Sequence, residues 1–67
     1  MNKVMVKNLA VDDVFKGEND VNLVVRKVLD NKVLVSKVAA QPGHGMFSVD
    51  FYSHKFDDLK NRVELSK

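Results

Sequence analysis

Two valine-rich runs, VNLVVRKVLD and KVLVSKVAA, flank Asn31 and constrain this chain more than any other feature in it. Valine is branched at Cβ, which stiffens its first side-chain torsion and suits it to a pleated surface. The chain holds thirteen valines, three alanines and no isoleucine, so the preference for sheet is built into its apolar content. Two such runs around an asparagine, which accepts the backbone torsion of a tight turn, predict a central β-hairpin. Placing Asn31-Lys32 at the tip sets Leu29 against Leu34, Val28 against Val35 and Val25 against Val38. Moving the tip to Asp30-Asn31 sets Val25 against Ser36 and Val24 against Lys37. Cross-strand apolar pairs favour the first register.

The first of these strands does not alternate cleanly. Leu23 and Val25 share one parity, whereas Val24 and Val28 share the other. A β-bulge near Arg26-Lys27 reconciles them and bends the strand. The remaining segments are shorter. KVMVK alternates, with Val4 and Val6 on one face and Lys3, Met5 and Lys7 on the other. NLAVDDVF offers Leu9, Val11, Val14 and Phe15 for burial, and reads as a bend into a second extended piece. A helical turn over Val11 to Phe15 competes with that reading. KGEND is a loop, because Gly17, Asn19 and Asp20 favour turns. QPGHGM, with Pro42, Gly43 and Gly45, is the clearest break. After it Phe47, Val49 and Phe51 point inward between Ser48, Asp50 and Tyr52. RVELS closes with Val63 and Leu65 inward and Arg62, Glu64 and Ser66 outward.

Between the last two strands, Phe56 and Leu59 stand three apart, the spacing of a 3₁₀ turn over 56–60. Such a turn carries the chain across an open end so that the last strand pairs elsewhere. The expectation is an all-β, antiparallel, five-stranded barrel with a bent central hairpin, matching the general plan of SH3-like barrels. The runner-up is a twisted antiparallel sheet whose bare face is covered by a second subunit. Sixty-seven residues fit one domain, 1–67, and a chain so short hides only about 60% of its unfolded surface.

No cysteine is present, which excludes disulfides and thiolate metal sites. No apolar run approaches the roughly 18 residues that span a bilayer. The opening MNKVMVKNLAVDD reads as lacking a secretory signal, so a cytoplasmic protein is expected. Eleven Lys and Arg against nine acidic residues leave a net charge of +2, and the signs are interspersed. That is not the excess of a dedicated nucleic-acid binder.

Chemistry-bearing residues are few. His44 sits between glycines in a loop that offers it no orienting partner, as a catalytic base needs. His54 with Asp50, Asp57 and Asp58 holds the elements of a metal site without a ligand spacing. Asp57 and Asp58 suit the start of a helical turn, and Asp12 and Asp13 suit a bend. No nucleophile elbow or phosphate-cradling loop is present. A non-catalytic module without cofactor or metal is expected, an adaptor or inhibitor that binds another protein. Outward Met5, Leu34, Met46 and Tyr52 form its candidate patch, and an exposed strand edge offers a route to a homodimer. The alternative is nucleic-acid binding. In the favoured register Arg26 lies opposite Lys37, a like-charge pair that a phosphate backbone would relieve. Lys27, Lys32, Lys55, Lys60 and Arg62 extend that surface, and Tyr52 offers a ring for stacking.

Overall fold

A computed structural model describes residues 3–41, 44–53 and 62–65. The described residues form six short strands where a five-stranded barrel is expected: β1 (Lys3–Met5), β2 (Val14–Lys16), β3 (Asn22–Val28), β4 (Lys32–Lys37), β5 (Phe47–Asp50) and β6 (Arg62–Glu64). They build two antiparallel sheets, β1-β6 and β2-β3-β4-β5. A single bridge between Phe15 and Leu65 joins β2 to the end of β6. Among the described residues no ladder links β5 to β1, so closure into a barrel is not seen there. The segment expected to form the 3₁₀ turn, 56–60, lies outside the described residues.

The hairpin carries both the bulge and a corrected register. Val28 faces Val33 and Lys27 faces Leu34, then the pairing shifts so that Val25 faces Val35, Val24 faces Ser36 and Leu23 faces Lys37. The tip is Asp30-Asn31, closed by the Leu29 N–H donating to the Lys32 carbonyl at 2.8 Å. The register with Asn31-Lys32 at the tip is therefore wrong, as is the pairing of Arg26 with Lys37. Arg26 is the extra residue of the bulge, and inserting it restores valine against valine further up the strands. Asn31 does not take a positive φ; among the described residues that conformation falls to Asp12, Asn19, Asp20 and Gly45.

β2 is entered through a turn in which the Asp13 N–H donates to the Ala10 carbonyl at 3.0 Å. Asp12, with φ of 76°, occupies its third position, where glycine or asparagine is usual. The Asp12 N–H then donates to the Val25 carbonyl while the Val25 N–H donates to the Asp13 carbonyl, both at 2.9 Å. Two residues oppose one, so β2 begins at a second bulge. The helical reading of Val11 to Phe15 is excluded, and Val11 is exposed rather than buried. At the far end of β2 the loop expected over KGEND is a single tight turn, Glu18–Asp20, with Asn19 and Asp20 both at positive φ.

Val6, Leu9, Phe15, Leu23, Val25, Val33, Val35, Val49 and Val63 make the core, with Val4, Phe51 and Leu65 packed against it. One face of the four-stranded sheet supplies most of these residues. The 3₁₀ turn Val6–Asn8 lies against β4, and β6 lies against β2. Phe47 departs from its expected inward place. It stands opposite buried Val35 on the core side, but at the margin of the sheet, where it remains 40% exposed.

Candidate binding face

The opposite face of the four-stranded sheet, called here the outer face, follows from the ladder. Residues directly opposite each other share a face, and alternate residues along a strand change face. Since Val33 and Val35 point into the core, Leu34 points out. Lys27, Leu34 and Ser48 form one row across β3, β4 and β5. Lys32 and Asp50, of opposite charge, form the next. On the other side of Leu34 lies the row Val14, Val24 and Ser36.

The Val14 row is not bare. Ser36 is fully buried and Val24 is 8% exposed. Arg26 lies over them: its Nε–H donates to Ser36 Oγ at 2.9 Å, and its Nη2 donates to the Ala40 carbonyl at 3.2 Å. The turn after β4, held by the Ala40 N–H donating to the Lys37 carbonyl at 3.0 Å, brings that carbonyl within reach. A hydroxyl shut away from water needs a partner, and the guanidinium supplies it. The mixed parity of the strand predicts a bulge near Arg26-Lys27 but not this contact. The available signal was Ser36 itself, a polar residue one step out of phase with Val33 and Val35.

The residues of the predicted protein-binding patch separate into three places. Leu34, half-buried, belongs to the outer face; Met46, 37% exposed, precedes β5 by one residue and shares the parity of Ser48. Tyr52, 62% exposed, sits in the turn after β5, which the Ser53 N–H closes onto the Asp50 carbonyl. Met5 lies in the other sheet, half-buried opposite Arg62.

The predicted basic surface also divides. Arg26, Lys27 and Lys32 share the outer face. Lys37 faces Leu23 at the sheet's end, and Arg62 belongs to the two-stranded sheet. Lys55 and Lys60 lie outside the described residues, as do His54, Asp57 and Asp58. Among the described residues no three His, Asp or Glu side chains gather as a metal-holding group. His44 is exposed, its N–H donating to the Gln41 carbonyl at 3.0 Å. Among the described residues no helix is long and apolar enough to cross a membrane. Comparison with family models, curated proteins and solved structures gave no match to this chain.

Proposed function

We propose that the chain is a non-catalytic binding module, an adaptor or inhibitor in the cytoplasm, that docks another protein on the outer face of its four-stranded sheet. One observation carries this reading. Leu34 is apolar, lies on the face turned away from the core, and stands between the hydrophilic side chains of Lys27 and Ser48. Met46 extends the apolar surface on the same side. An apolar centre with a charged rim is the usual composition of a contact patch. The same reading takes the fold as an SH3-like barrel. The order β6-β2-β3-β4-β5, joined through the Phe15–Leu65 bridge, and the bulged β3 support it.

Nucleic-acid binding is the second reading. Arg26, Lys27 and Lys32 on one face speak for it, and Asp50 opposite Lys32 speaks against it.

The test is a pull-down from the native host with the full chain as bait, comparing Leu34→Asp with Met5→Asp. A partner lost with Leu34→Asp and kept with Met5→Asp supports the outer face; the reverse pattern overturns it. Sedimentation of the bait alone shows whether the partner is a second copy. Retention on single-stranded DNA that falls steeply with salt would transfer the assignment to the second reading.

A further inference from the structure

The bulge has a chemical consequence for the outer face. In a regular strand Arg26 and Lys27 would point to opposite sides of the sheet. The inserted residue turns both towards the same side, Lys27 opposite Leu34 and Arg26 over Ser36. Two consecutive cations therefore border a single apolar residue.

Arg26 is also held in place. Its Nε–H and one Nη2 hydrogen are committed to Ser36 and Ala40, which fixes the guanidinium plane. Among the described residues none accepts from the Nη1 hydrogens or the second Nη2 hydrogen, which leaves them for an acceptor from outside. Among the described residues no carboxylate pairs with this guanidinium. A cation whose side-chain freedom is already lost binds an anion at lower entropic cost than a free lysine does.

We propose that Arg26 and Lys27 form a carboxylate-binding site, and that the partner is an acidic protein segment whose apolar side chain rests on Leu34 beside its Asp or Glu. This inference rests on the outer face being the docking surface. A carboxylate suits the site better than a phosphate backbone for two reasons. Leu34, in the same row as Lys27, offers an aliphatic side chain that suits an apolar residue beside a carboxylate and lacks the flat ring on which a base stacks. Lys32 and Asp50 face each other in the next row and balance in charge, so the excess of positive charge stops at Arg26 and Lys27, which suits one carboxylate better than a continuous line of phosphates.

The experiment uses the full chain and three labelled probes. One is an acetylated, amidated peptide alternating Glu and Leu; the second replaces each Glu with Gln; the third is a single-stranded oligonucleotide of mixed sequence. Anisotropy reads affinity, and ¹⁵N NMR reads the Arg26 Nε–H and the amides of Lys27 and Leu34. The Glu-Leu peptide is expected to bind about tenfold more tightly than its Gln counterpart, the worth of one charge-assisted hydrogen bond, and to shift those three signals. Arg26→Lys should remove that preference. Lys27→Gln, which breaks no side-chain hydrogen bond among the described residues, should reduce it and serves alone if Arg26→Lys disturbs the fold. Equal affinity for the two peptides, or shifts confined to other residues, would overturn the carboxylate site. So would an oligonucleotide that outcompetes the acidic peptide. Because the Leu34→Asp pull-down does not depend on these probes, it separates a wrong partner chemistry from a wrong face.

Discussion

The Nε–H of Arg26 lies 2.9 Å from Ser36 Oγ, and the serine is fully buried beneath it. Ser36 Oγ also donates to the Lys37 carbonyl at 3.4 Å, and Arg26 Nη2 donates to the Ala40 carbonyl, so removing either group breaks one bond of a small linked set. Ser36→Ala is expected to destabilise the protein by about 1–2 kcal/mol in urea unfolding, and Arg26→Ala by a similar amount. The two losses should not add. A double-mutant cycle is expected to return a coupling of roughly 0.5–2 kcal/mol, whereas strict additivity would mean that the contact contributes nothing.

Phe15 is a second point of dependence. It is fully buried, pairs with Leu23 within the larger sheet, and bridges to Leu65 beyond the smaller one. Truncating a buried phenylalanine to alanine costs about 3–5 kcal/mol. A domain of 67 residues has roughly 3–10 kcal/mol in all at ordinary per-residue values. Phe15→Ala should therefore leave much of the population unfolded at 25 °C, seen as collapsed amide dispersion in NMR. Val11→Ala, at a side chain 52% exposed, should change the unfolding free energy measured in urea by less than about 0.5 kcal/mol. Equal effects would contradict the placement of both residues.

The hairpin shows what the sequence discloses and what it conceals. Valine content and the turn residues around Asn31 reveal two paired strands, and the mixed parity of Leu23, Val24, Val25 and Val28 reveals a bulge. Register escapes because it depends on the two acting together. Taken without the bulge, a tip at Asp30-Asn31 sets Val25 against Ser36 and looks unfavourable. With Arg26 inserted, the same tip brings Val25 opposite Val35. The apolar-pair rule holds, but it picks the wrong tip when the ladder is taken to keep one register throughout. The site inherits this error. Arg26 opposite Lys37 implied a repulsive pair in need of an anion, while the observed Arg26 is anchored by hydrogen bonds and Lys37 lies elsewhere. Leu34 is legible as an outward residue from alternation alone; Tyr52 is exposed as well, but in the turn after β5 and not on the alternating strand. That Met5 belongs to a different sheet was not, because the pairing of β1 with β6 spans nearly the whole chain and no local pattern encodes it.

Asp12 gives a prediction about backbone strain. Its φ of 76° lies in the left-handed region, which costs an ordinary L-residue about 1–2 kcal/mol. Aspartate tolerates this better than most, and glycine tolerates it without penalty. Asp12→Gly is expected to raise stability by several tenths of a kcal/mol, the relief being partly offset by a freer unfolded chain. Asp12→Val should lower it by about 1–2 kcal/mol, since a β-branched side chain is least compatible with positive φ. Thermal unfolding of the two variants checks the order, and an unchanged midpoint in both would place the turn elsewhere.

Gly45 poses the same question where only the backbone is involved. Its φ is +64°, and a Cβ built on it meets nothing within 4 Å. Gly45→Ala should then cost about 1 kcal/mol, the left-handed penalty alone, with no contribution from a clash. Gly45→Asn should cost less, because asparagine visits this conformation more readily than alanine. The loop leads directly through Met46 into β5, so the amide shifts of Phe47 and Val49 report whether the strand keeps its register in each variant. A loss well beyond 1 kcal/mol for alanine, or displaced β5 signals, would mean that packing rather than torsion governs this corner. It would also move Met46 off the outer face on which the binding reading depends.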